Sequence, residues 1–542
     1  MRTGKTLLAG AASLALAALA PHSPARAALT IAKAATSNVT CAGGVCTATA
    51  SDAVLDVDTL KRALRDGDLA VKSGAQAQDI VFAAEFSWTA ATRLTLDSFR
   101  GIEFRKPLTA EGTGAVTLAT NDGGGGGDLR FTDPGRVAFW DMTSSLIING
   151  KTYTLAADLA TLAANVQSAP RAHHALAANI DAAADGTYAQ SPIPGAFYGV
   201  FEGLGHKVAN VTIVAPERNK FHYAGLFAKL QNGGVMRDLN MVNFQGSSLK
   251  AKKGHTTIWG MAPVVGDVED SSVLNCTASG HIALQNVDSG GGLVGFAKNA
   301  TIANSSASTT LAGTGGMQGG LVAELAGGTL VGSHASGEIV LTGSNGESGG
   351  LIGWSNGTIR NSSATGAVSG LYSVGGLIGF FASGGLIDSS FATGSVNGQG
   401  GNVGGLVGAS DSKIVNSYAT GAVSDDAAQG AGGLVGMQDK SVIASSYAIG
   451  HVDGGTGPTG GVIGVDAKRN GNQITNTYWD LDTSGVSDPS RGAGNRPDDP
   501  GLTGLTTAQF TSGLPAGFDP AVWGWQAGFN LEYPYLLANP PQ

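Results

Sequence analysis

The chain has 542 residues, of which 84 are glycine, and it carries 13% charged residues and a formal charge of −9. Glycine without a three-residue period excludes collagen, and an acidic chain with no basic cluster argues against nucleic acid as a partner. The glycines recur beside Leu, Val or Ile, so they read as turns and close-packing positions and not as a disordered tract.

Residues 1–27 have the pattern of a secretory signal. Arg2 and Lys5 open it, Leu7 to Ala20 form an apolar run, and Ala25-Arg26-Ala27 is a small-x-small site, placing cleavage between Ala27 and Ala28. The apolar run is too short to span a bilayer. The expected location is therefore outside the cytoplasm: extracellular, at the cell surface, or in a periplasm. Loss of Arg2, Lys5 and Arg26 removes three positive charges and takes the formal charge from −9 to −12. No later stretch is apolar enough for a transmembrane helix, so the mature chain is expected to have none. In an oxidising compartment Cys41 and Cys46 are expected to form a small disulfide, while Cys276 reads as a buried, inert thiol.

Residues 28–150 alternate short β-rich runs with turns, such as Asp79-Ile80-Val81-Phe82 and Arg93-Leu94-Thr95-Leu96. Leu55 to Arg65 has helical spacing and is short enough to cap a solenoid end. Leu155 to Val166 has it too, and the spacing predicts a lateral insertion with a short helix over 151–195.

From 196 to 480 one phrase returns: Gly-Gly-Leu-hydrophobic-Gly, followed by Ile-x-Asn-Ser-x-Ala-Thr-Gly. Its leucine falls at Leu293, Leu321, Leu351, Leu377, Leu406 and Leu434, with Val462 in the same slot. A fixed period of roughly 28 residues is the mark of a solenoid, in which each coil buries its apolar face only against its neighbours. Runs of three to five β-branched or glycine-bounded residues suit stacked parallel strands. The predicted fold is thus all-β, a right-handed parallel β-helix with an N-terminal cap. The segment 481–542, rich in Pro, Gly and aromatics, is expected to be an irregular C-terminal cap.

Strict alternation puts the Ile, the Asn and the fifth residue of the second phrase on one face. It predicts an aliphatic file (Val273, Ile302, Leu330, Ile359, Ile387, Ile414, Ile443, Ile474) and an amide ladder at Asn275, Asn304, Asn361, Asn416 and Asn476. The fifth position becomes aromatic at Phe391, Tyr418, Tyr447 and Tyr478. Stacked rings could be a carbohydrate platform, but alternation favours an interior stack.

At these residues the chain resembles the GLUG-motif proteins, secreted repeat proteins related to filamentous-haemagglutinin-like β-helix adhesins. Gly-Gly-Leu-Val-Gly at 291–295, 404–408 and 432–436 matches the motif closely. Val200-Phe201-Glu202-Gly203-Leu204-Gly205-His206 is similar to the phrase that introduces such arrays, and Tyr478-Trp479-Asp480 to their exit. The resemblance implies a β-helix outside the cell with a role in adhesion or surface structure. Its expected partner is a glycan or protein on a host or neighbouring cell, and it implies no catalytic residues.

Two constellations carry other chemistry. Asp411, Asp439 and Asp466 recur one coil apart in the turn after the glycine phrase, and stacked carboxylates could serve a polysaccharide lyase or hydrolase. Inter-coil ion pairing with nearby lysines is the competing reading. No cofactor is expected apart from calcium. Asp480, Asp482 and Ser484 supply oxygens at alternate positions, with Gly485 sixth, as in a calcium loop, but Arg491 stands where a bidentate Glu is needed.

Overall fold

A computed structural model describes residues 27–215, 223–248, 258–342, 346–467 and 471–541. The expected signal therefore lies outside the described residues up to Arg26. Ala28 opens the first strand, Ala28–Ala32, and the Ala27 carbonyl accepts from the Asp79 backbone N–H at 3.3 Å.

The chain winds as a parallel β-helix. Its longest regular face, among the described residues, is a 10-stranded sheet running from Ile193–Phe197 to Ile463–Asp466. Successive glycine-leucine phrases sit in register along it, Val294 beside Val322, then Ile352, Ile378, Val407, Val435 and Ile463. The phrase leucines are fully buried, and Leu293, Leu321 and Leu351 each donate a backbone bond to the carbonyl of the next coil's leucine at 2.8–2.9 Å. The paired glycines are obligatory here. A Cβ on Gly376 would strike the Gly405 carbonyl oxygen, and one on Gly405 that of Gly433, so the coils close to van der Waals contact only without side chains.

The aliphatic file forms as expected, from Val273 through Ile302, Leu330, Ile359, Ile387, Ile414 and Ile443 to Ile474, in register. The amide ladder on the same face does not. Asn275, Asn304, Asn361, Asn416 and Asn476 adopt φ between 47° and 54°. This left-handed conformation suits Asn, Gly and little else, and Gly332, Ser389 and Ser445 adopt it in the other coils. It turns a corner and resets the alternation. The next residue, not the asparagine, points inward, and a buried serine file results: Ser305, Ser333, Ser362, Ser390, Ser417 and Ser446. Each of the first five donates its backbone N–H to the hydroxyl of the next coil's serine at 3.2–3.3 Å. The hydroxyls in turn donate to the carbonyl two residues back at 2.7–3.0 Å. Cys276 occupies the same file, fully buried, with burial pushing its thiol up to about 12.

The amino-terminal region belongs to the same stack. Asp79–Phe82 pairs in parallel with Ile102–Phe104, and that strand with Leu129–Phe131. Helix α1, Val57–Asp66, begins at the Asp56 cap, which accepts from Thr59 N–H at 3.3 Å, and buries Leu60 and Leu64. A disulfide joins Cys41 to Cys46 across the hairpin that follows the first strand. Helix α2, Leu159–Ser168, starts later than its spacing suggested, because Asp158 caps it by accepting from Thr161 N–H at 2.8 Å. Residues 151–195 are not a lateral excursion. Lys151–Ala156 pairs with Leu146–Ile148 on one side and His173–Leu176 on the other, which pairs with Val200–Glu202. The ladder is continuous through the expected break.

At the carboxyl end Leu502–Leu505 adds one more parallel strand against Gln473–Asp480. The chain then folds back along the outside of the coils. Tyr478 OH donates to the Ala516 carbonyl at 2.7 Å, Tyr447 OH to that of Pro534 at 2.6 Å, and Asn539 Nδ2 to that of Ser362 at 3.2 Å. Among the described residues no helix is long and apolar enough to cross a membrane.

Candidate binding crease on the long sheet

Phe391, Tyr418 and Tyr447 do stack, with centroids 4.8 Å apart for Phe391–Tyr418 and 5.0 Å for Tyr418–Tyr447, while Tyr478, next in register, meets Phe510 and Phe518 edge-on. They are not in the solenoid interior. The corner reset turns them outward, where Phe510, Phe518, Trp523, Tyr533 and Leu536 of the returning tail cover them. The rings are thus a docking strip for the tail and offer no face to a sugar.

The three-carboxylate file is not assembled either. Asp411 N–H bonds Phe381 O and Asp439 N–H bonds Ser410 O, but the third backbone in that row is Ala467, which bonds Gln438 O at 3.1 Å. Asp466 instead stands in register with Gln438 and Ser410, fully buried. It follows its glycine by one residue fewer than Asp411 and Asp439 do, so it faces inward. Its carboxylate accepts from Gln438 Nε2 at 3.1 Å and is held by Asn472 and Arg496. The pairing leaves this carboxylate no free face for a substrate.

The oxygen-rich exit loop is engaged as well. Buried Asp480 accepts from Asp482 N–H at 2.8 Å, Thr483 N–H at 3.2 Å, Thr507 Oγ1 at 2.8 Å and Tyr533 OH at 2.7 Å. Asp482 accepts from Thr507 N–H at 2.8 Å, and Ser484 Oγ accepts from Val486 N–H at 3.2 Å. These side chains tie the tail to the last coil. Among the described residues no three His, Cys, Asp or Glu side chains gather as a metal would require.

A different surface collects chemistry that pattern reading missed. On the outer side of the 10-stranded sheet one file runs Lys229, Asp267, Phe296, Glu324, Trp354, Phe380. Beside it the preceding strand of each coil carries a second file, Tyr223, Gly260, Ser289 and Met317. Register of Gln318 with Ser348 brings Glu347 next in that file. The two files face each other across a crease. A Cβ on Gly260 would lie 2.6 Å from Gly266 O and 3.5 Å from Phe296 N, and one on Gly430, further along, 2.7 Å from Gly436 O and 3.2 Å from Val465 N. Each residue of the second file therefore looks between its own coil and the next. Phe296, Glu324, Trp354, Phe380 and Glu347 are half-buried, neither core nor fully solvated.

The electrostatics change along the crease. At its amino-terminal end Lys229 lies 3.7 Å from Asp267 and 4.8 Å above the Tyr223 ring, and Lys298 pairs with Glu269 at 2.8 Å. Burial pushes Asp267 up to about 6 despite Lys229. Further along, no described cation pairs with Glu324 or Glu347. Burial, and secondly the charge of Glu347, push Glu324 up to about 7, and burial raises Glu347. The outward residue two after the phrase's second hydrophobic could have revealed the file. Phe296, Glu324, Trp354, Phe380 and Met437 all hold the same slot after Gly-Leu-x-Gly or Gly-Leu-Val-Ala.

Neither a family model nor a curated protein matches this chain. Among solved structures, a crystal structure of a putative immunoglobulin A1 protease from Bacteroides ovatus is similar, at 16% identity and a TM-score of 0.35, over 72% of this chain and 92% of that one. A likeness at that level carries no argument about activity.

Proposed function

We propose that this protein is an exported, surface or extracellular β-solenoid of the GLUG-repeat kind, an adhesive or structural module that binds an extended glycan along the crease. The observation that carries the reading is the outward file in which Phe296 and Trp354 alternate with Asp267 and Glu324, with Phe380 next after Trp354, on a rigid sheet. Aromatic faces stack on the apolar faces of sugar rings while nearby carboxylates accept from hydroxyls. The rungs repeat about every 4.8 Å, comparable to the length one pyranose adds to an extended chain. Support for export comes from the signal pattern at residues 1–27.

A glycan array followed by calorimetry tests the reading, with Trp354→Ala expected to weaken the best ligand about tenfold, in line with loss of one aromatic anchor. Unchanged affinity in that variant, or no glycan bound at all, would sink it. Cell fractionation checks export. A polysaccharide-cleaving activity is the second reading, favoured by raised carboxyls at Asp267 and Glu324 two rungs apart. Release of oligosaccharides by the wild type and not by Glu324→Gln would establish it.

A further inference from the structure

The crease has a side that is rich in acceptors and short of donors. Between Phe296 and Trp354 in the first file stands Glu324, and Glu347 follows in the second. The charged groups around Glu324 are few. Its own sheet offers Asp267 two rungs before and Lys298, already paired with Glu269, while the facing strand offers Glu347.

We propose that the crease selects a polysaccharide bearing free amino groups, whose ammonium groups lie against the Phe296 and Trp354 rings and donate to Glu324 and Glu347. The inference rests on the glycan reading above and narrows it. An ammonium group supplies three donors and no acceptor, which matches a surface of unpaired acceptors. Aromatic faces flanking a carboxylate are the setting in which a cation is held most firmly, through its attraction to the ring quadrupole. A uronate chain would bring negative charge to Glu324 and Glu347, and a fully acetylated chain would leave both carboxylates without a counter-charge. Glu324 and Glu347 lie at different levels, so a polymer with repeated amines satisfies both.

The test is titration calorimetry of the full chain at pH 7 with a glucosamine hexamer, its fully N-acetylated counterpart and a galacturonate hexamer. The amine form is expected to bind at least tenfold more tightly than either. Glu324→Gln and Glu347→Gln, each near-isosteric, are expected to cost the amine form about tenfold while leaving the acetylated form unchanged. Circular dichroism of each variant separates lost binding from lost fold. If the acetylated or acidic hexamer binds as well as the amine, or the two Gln variants bind the amine as well as the wild type, the inference falls and glycan binding stands. If no hexamer binds and the array is blank, the glycan reading falls with it.

Discussion

Glu324 is a residue whose ionised form the fold tolerates poorly. Its folded value is raised to about 7 by burial and then by Glu347, against an ordinary value of 4.5. A raised carboxyl binds its proton more tightly when folded, so its neutral form is favoured and the cost appears as pH climbs from the unfolded value toward the folded one. Glu324→Gln should therefore be more stable than the wild type at pH 8, by about 1 kcal/mol once solvent screening of this half-buried group is allowed for. The difference should vanish near pH 4. Thermal melts at the two pH values check it, and a Gln variant less stable at pH 8 would overturn the sign. Asn at the corner is also decided at this scale. Its periodic return was legible, but alternation alone treated it as an ordinary strand residue, and a φ near 50° is a backbone property no hydrophobic pattern encodes.

At the scale of an element, the serine file acts as a seam along one corner of the coil. Ser390 accepts from Ser362 N–H at 3.2 Å and donates to Asp388 O at 3.0 Å, all of it buried. Ser390→Ala removes the acceptor and strands the Ser362 amide in the interior, which should cost about 1–3 kcal/mol. Ser445→Ala, at the neighbouring corner position where the half-buried hydroxyl donates only to the Gly517 carbonyl of the tail at 3.3 Å, should cost less, apart from any strain at its positive φ. Urea titration compares the two. Equal losses would mean that the seam contributes nothing beyond the corner backbone. Pattern located α1 and the aliphatic file, and it found α2 but set its start too early. Residues 151–195 were misjudged because a helix beside short strands looks like an excursion, whereas His173–Leu176 continues the ladder.

For the whole molecule, the tail is what makes the outer face of the last coils compatible with water. Phe391, Tyr418 and Tyr447 lie almost wholly buried beneath it, and exposure of such rings costs up to about 1.5–3 kcal/mol each. A chain ending at Leu505 should bind a hydrophobic dye and exchange amide hydrogens faster from 386 to 480. Coils nearer the amino terminus should exchange as before, because a solenoid couples each coil chiefly to its neighbours. Dye binding equal to that of the full chain would mean the rings find another cover. The repeat spacing, the glycine pairs and the β-branched runs by themselves determined a stacked parallel solenoid, since those choices act between residues a fixed distance apart in the chain. Which carboxylates share a surface was decided only by tertiary structure. Asp466 turned inward by a one-residue offset, the aromatic file turned outward at a corner, and Glu324 and Glu347 met across a crease between strands. Facing of that kind depends on where the backbone bends, and the bends are set by local φ and by packing against the neighbouring coils.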